Sequence, residues 1–147
     1  MTTPANPALM VAGVGSVAAA LAHLACIIGG PDWYRFFGAG EGMARAVEQG
    51  RWQPHAMTLG IAIILFGWAW FAFAGSGQMP RPPLLRIGLV AIILVLLLRA
   101  AAAFLPGVWR AEHSPTFIVV SSLIVLVLGL AFLIGTIKAW PTLSMRT

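Results

Sequence analysis

Charge is scarce in this chain. Only 9% of its 147 residues are charged and only four are acidic, whereas 60% are hydrophobic and the mean hydropathy is +0.92. A soluble domain carries roughly a quarter charged residues, so a water-facing globular fold is excluded. Cysteine occurs once, at Cys26. That excludes an internal disulfide, a dithiol redox pair and a cysteine-rich zinc site, and leaves Cys26 as an inert helix residue. Apolar and polar residues do not alternate, so strands are not expected. No Lys or Arg precedes the first apolar run, which is also too long for a signal-peptide core, so it reads as a membrane helix. The stretch His23-Leu24-Ala25-Cys26 has a histidine where a lipoprotein cleavage site needs an apolar residue. The formal charge is +5, yet the nine Lys and Arg are scattered among loops and helix ends. No nucleic-acid partner is expected from that pattern; lipid headgroups are.

Four long apolar runs are present, at about 7–30, 54–75, 84–106 and 116–140. Each has about 20 residues or more, enough to cross a ~30 Å hydrocarbon layer. The expected fold is all-α: an integral membrane four-helix bundle, one domain over 1–147, with a short interfacial amphipathic helix between helices 1 and 2. Gly29-Gly30-Pro31 ends helix 1, Pro54 opens helix 2, and Ser114-Pro115 supplies an N-cap and first position for helix 4. In helix 1, Ala12, Ser16, Ala19, Ala20 and His23 share one face, and small residues let membrane helices approach closely. Within 31–53, Trp33 and Tyr34 suit the headgroup belt. A helix over 39–49 would place Phe36, Ala39, Met43 and Val47 on one side, and pair Glu41 with Arg45 and Arg45 with Glu48.

Four crossings put both termini on one side and the 30–54 and 106–116 loops on the other. All four acids, Asp32, Glu41, Glu48 and Glu112, fall on the loop side, with His55 and His113. His23 and Arg99 each precede their helix end by seven residues, which puts both roughly 10 Å below that surface. The terminal side carries Arg81, Arg86, Lys138 and Arg146 and no acid. Lys and Arg tie at four per side, so the positive-inside rule does not decide. Offsetting acids on the loop side and the free N-terminus lean the termini toward the cytoplasm.

Arg99 is the sharpest feature. An ionised guanidinium within a helix that crosses hydrocarbon costs roughly 2.5–3.5 kcal/mol even on the lenient insertion scale. Either helix-end carbonyls and snorkelling satisfy it, or it marks an anion or headgroup site or an ion pair with Glu41, Glu112 or Asp32. His23 is either a packing histidine bonded to a carbonyl or a residue of the same pocket. His55, His113, Glu41 and Glu112 form only a compositional metal set, because no zinc-like spacing exists, and no metal or other cofactor is expected. His55 and His113 lack a c-type haem motif. Ser121 and Ser122 have no evident base, and such serines bond the preceding turn.

The block from Gly30 to Glu41 (Gly-Pro-Asp-Trp-Tyr-Arg-Phe-Phe-Gly-Ala-Gly-Glu), with Ala44 after it, resembles a motif of small bacterial four-helix inner-membrane proteins. So do Ser114-x-Thr116-Phe117 followed by Ser121-Ser122, and the Leu98-Arg99 pair. The resemblance implies a bacterial inner-membrane protein and brings no activity. The arginine-, asparagine- and glutamate-rich helix 2 of membrane glutathione transferases is missing, as are the helix 1 carboxylate of small multidrug transporters and the cysteine pairs of thiol-oxidising bundles.

Three readings follow. In the first, a pocket on the 30–54 face binds a polar or anionic-headed small molecule or lipid, anchored by Arg99 and lined by His23, Glu41 and Arg45, with Trp33, Tyr34, Phe36 and Phe37 at its rim. In the second, Glu41 and a histidine do acid–base work in a membrane enzyme. In the third, the chain is a structural subunit, and Gly129 and Gly135 offer faces for a homo-oligomer.

Overall fold

The computed structural model describes residues 5–109 and 113–143. Its helices are α1 (Pro7–Gly29), α2 (Pro31–Phe36), α3 (Glu41–Glu48), α4 (Gln53–Gly75), α5 (Leu85–Ala101, continued by a 3-10 turn, Ala102–Phe104) and α6 (Pro115–Leu143). Four of these spans, α1, α4, α5 with its turn, and α6, are long and apolar enough to cross a membrane. No more than 28% of each span's most apolar window is buried. The exposed remainder includes Ile63, Leu94, Leu98, Ile124 and Val127, a surface too apolar for water and suited to acyl chains. The chain is a multi-pass membrane four-helix bundle.

The helix ends follow their sequence signals. Asn6 Oδ1 accepts from the Leu9 amide at 3.2 Å, and its Nδ2 donates to the Gly135 carbonyl at 2.8 Å. One side chain therefore caps α1 and ties it to α6. Ser114 Oγ accepts from the Phe117 amide at 3.1 Å, with Pro115 at the first helical position. Gly30, at φ +69°, ends α1 where a side chain would be strained.

Packing order is set by small residues. α1 lies against both α4 and α6, α5 lies against α6, and α4 meets α5 near their shared hairpin. Ala12, Gly13, Ser16 and Ala20 are buried on α1. A Cβ on Gly13 would lie 2.6 Å from Phe73, and one on Gly135 would lie 2.8 Å from the Leu9 backbone nitrogen. Gly129 is pressed against Leu96 and Leu97. Gly129 and Gly135 are thus used inside the chain and do not offer faces to a second copy.

Two boundaries differ from expectation. The interfacial segment is a pair of helices, because Gly38 (φ +73°) and Gly40 (φ +95°) break it before Glu41. α2 docks on the end of α1 and α3 on α2 and α4, around a buried cluster of Cys26, Tyr34 and Ala44 flanked by Ala39, Met43 and Val47. Phe36, expected on that apolar side, is 83% exposed because it belongs to α2 instead. The third span leaves α-geometry after Ala101 and ends in the 3-10 turn at Phe104 rather than continuing to 106, which places Arg99 in the last α-helical turn.

Candidate functional site

Arg99 stands at the carbonyl end of α5, whose partial negative charge favours a cation. Its Nη1 and Nη2 donate to Ser122 Oγ and Ser121 Oγ, both at a long 3.4 Å. Its Cζ lies 4.2 Å from the Trp109 ring centroid, a cation–π contact of roughly 0.5–2 kcal/mol. Trp109 is held there by its own Nε1, which donates at 3.0 Å to the Ala102 carbonyl, an oxygen that also accepts from the Leu105 amide at 3.2 Å. Among the described residues, no carboxylate lies within 4.0 Å of Arg99. Glu112, one expected partner, lies outside the described residues, and Asp32 and Glu41 are engaged elsewhere.

His23 does not join Arg99. Its Nδ1 shares a 2.7 Å hydrogen bond with the Ala19 carbonyl one turn back in α1. α1 packs chiefly on α4 and α6, while α5 packs chiefly on α6. Matching depth, which the sequence gives, does not ensure matching direction.

Above the bundle end, Arg35 gathers the acids. Its Nε and Nη2 donate to Glu41 Oε2 and Oε1 at 2.9 and 3.0 Å, Nη2 also to Glu48 Oε1 at 2.7 Å, and Nη1 to Asp32 Oδ1 at 3.3 Å. Arg45 Nε donates to Glu41 Oε1 at 3.1 Å, forming the expected i,i+4 pair. The expected Arg45–Glu48 pair is replaced by Arg35–Glu48. Hydrogen bonds from Arg35, then Arg45, pull the Glu41 carboxyl from 4.5 to about 2, and the same contacts raise Arg35 above the usual guanidinium range.

Tyr34 is not a rim residue: it is 1% exposed. Its hydroxyl donates to Thr58 Oγ1 at 3.1 Å, and Thr58 donates on to the Pro54 carbonyl at 2.8 Å. His55 Nδ1 lies 3.1 Å from the same hydroxyl. Because the phenolic proton points to Thr58, His55 Nδ1 is the donor in that pair. Burial raises the Tyr34 pKa above its ordinary value, against the opposing pull of the Thr58 bond. Trp33 is exposed, as belt residues are, and packs on Phe37 with ring centroids 6.0 Å apart.

A cleft of about 300 Å³ opens between the α2–α3 turn and the start of α6, lined by Arg35, Gly38, Gly40, Glu41, His113, Ser114 and Phe117. That volume is at the small end of ligand pockets, which run from roughly 300 to 1,000 Å³. Gly38 lets the turn close on Phe117, since a Cβ there would overlap the ring. His113 stacks on Phe117 at 5.2 Å, and Trp109 meets both edge-on at 5.8 and 6.2 Å. This aromatic layer separates the cleft from Arg99. His113 Nδ1 is sealed without a partner among the described residues, a deficit of roughly 1–3 kcal/mol for a buried polar group.

Of the expected ligand residues, only Glu41 lines the cleft. Arg45 braces it, Tyr34 anchors α2 behind it, and Trp33, Arg99 and His23 lie off it. The weak metal candidates His55 and His113 serve different contacts, Tyr34 and Phe117. Arg35 and Phe117 were not singled out as lining residues from sequence, nor Trp109 as the partner of Arg99. Two signals were available: Asp32 at i−3 of Arg35, and Ser122 seven residues after Pro115, mirroring Arg99 seven before Pro106. No protein-family model, curated protein or solved structure matches this chain.

Proposed function

We propose that this protein binds a polar-headed small molecule or lipid at the α2–α3 face, as a binding or transport-type protein of the bacterial inner membrane with its termini in the cytoplasm. The source rests on the resemblance of the segment from Gly30 to Glu41, and the orientation on the neutralised charge of the loop face. The observation that carries the binding reading is the 300 Å³ cleft, which joins a fixed Arg35–Glu41 pair, the Ser114 hydroxyl and the Phe117 ring at the edge of a lipid-facing bundle.

Within that network, three carboxylates (Asp32, Glu41, Glu48) face two guanidiniums (Arg35, Arg45). The cleft therefore offers oriented donors and acceptors rather than bare positive charge. A head that both donates and accepts hydrogen bonds suits it better than a simple anion. Acid–base catalysis by Glu41 with His113, which share the cleft, is disfavoured: a carboxyl held near 2 is a poor base at neutral pH.

The test is retention of an amphiphile. Protein is reconstituted in nanodiscs of phosphatidylethanolamine and phosphatidylglycerol and released for native mass spectrometry. The wild type is expected to keep a bound molecule that Gly38→Val, whose side chain displaces Phe117, loses. Equal retention by a folded Gly38→Val protein contradicts the reading.

A further inference from the structure

Arg99 supplies a second location, away from the cleft. We propose that Arg99, Ser121 and Ser122 bind the phosphate of a membrane phospholipid that approaches from the bilayer along the seam between α5 and α6.

Charge is the first argument. The three acids among the described residues are bound to Arg35 and Arg45, and none reaches Arg99. A guanidinium stays protonated at any physiological pH, so Arg99 is a cation with no counter-anion among the described residues. Donor supply is the second. The group has five N–H donors, and among the described residues only two meet protein acceptors, both at 3.4 Å. Its Nε has no partner among the described residues and is not sealed from the surroundings, so that donor is open. Trp109 covers one face of the guanidinium, which leaves its edge as the recognition surface. A planar fork presented edge-on suits two phosphate oxygens.

The serines complete the set. Ser121 Oγ donates to the Ile118 carbonyl at 3.3 Å and accepts from Arg99. Ser122, which is buried, also accepts from Arg99, and its own proton has no acceptor among the described residues. That proton is available to a phosphate oxygen. Depth and surroundings indicate a lipid rather than a dissolved anion. Arg99 is in the last turn of α5, near headgroup level, and Leu94 and Leu98 on α5 and Leu123 on α6 are exposed for acyl chains.

Native mass spectrometry from nanodiscs containing phosphatidylglycerol tests this. The wild type is expected to retain phosphatidylglycerol and not a phosphate-free galactolipid. The double variant Ser121→Ala/Ser122→Ala, with unchanged melting temperature, is expected to weaken retention roughly tenfold, and Arg99→Gln to abolish it. Millimolar inorganic phosphate should not displace the lipid. Glu41→Gln, which breaks the Arg35–Glu41 pair at the cleft and touches nothing around Arg99, should leave this retention intact, so the two sites fail separately. Equal phosphatidylglycerol retention in the serine variant, equal retention of the galactolipid, or displacement by inorganic phosphate overturns the proposal. The serine variant decides the matter even if Arg99→Gln fails to fold.

Discussion

The Tyr34 hydroxyl meets His55 Nδ1 at 3.1 Å across 21 positions of sequence, fastening α2 to the first turn of α4. The same oxygen donates to Thr58, which is satisfied in turn by the Pro54 carbonyl. This relay ties α2 to the start of α4, beside the apolar cluster of Cys26, Tyr34 and Ala44. Tyr34→Phe keeps the ring and removes the relay. It should cost roughly 1–2 kcal/mol, read as a lower melting temperature in detergent, with little change in helix content by circular dichroism. An unchanged melting temperature would show that ring packing alone holds α2.

The same phenol has an alkaline signature. Its pKa is raised by burial, so the folded state favours the neutral form. The stability it contributes is complete below the unfolded value of 10 and declines as pH rises toward the folded one. Melting curves between neutral and strongly alkaline pH should fall less steeply for Tyr34→Phe than for the wild type.

Acid acts on a different element. Glu41 titrates near 4.5 when unfolded and about 2 when folded. Its contribution is therefore present above 4.5 and lost as pH falls toward 2. The wild-type melting temperature should be level above 4.5 with respect to this group and decline between 4.5 and 2. Glu41→Gln should start lower at neutral pH and decline less across that window. Parallel curves for the two proteins would remove Glu41 from the account.

Asn6 and Gly135 test the other end of the bundle. Asn6→Ala removes the cap on α1 and the bond to the Gly135 carbonyl together, which should cost roughly 1–2 kcal/mol. Gly135→Val forces a side chain against the Leu9 backbone, at a cost of roughly 1–3 kcal/mol. The double variant should be less destabilised than the sum, because both disrupt one contact. Strict additivity would mean that α1 and α6 do not meet as described.

Much of the architecture was legible in the sequence, because lipid-spanning helices need long apolar runs and their ends need particular residues. Asp32, Glu41 and Arg45 were visible as a charged patch, and Ser114 as a cap. The pairing of His23 with Arg99 rests on depth alone, and no hydrogen bond joins them among the described residues. Depth follows from counting residues, but direction depends on how α1, α4, α5 and α6 are ordered around the bundle, and small-residue packing at Gly13 and Gly135 sets that order. Tyr34 was misplaced for a related reason. An aromatic beside Trp33 reads as belt, and only the approach of α4, carrying His55 and Thr58, turns it inward.

The most direct test of the cleft as a binding site is photocrosslinking from position 117. A diazirine-bearing phenylalanine analogue in place of Phe117 is expected to give adducts dominated by one amphiphile species when irradiated in native membranes. The same analogue in place of Val119, which is exposed on α6, should give adducts that mirror the bulk lipid. Identical adduct profiles at the two positions, or no small-molecule adduct at 117, would contradict the account.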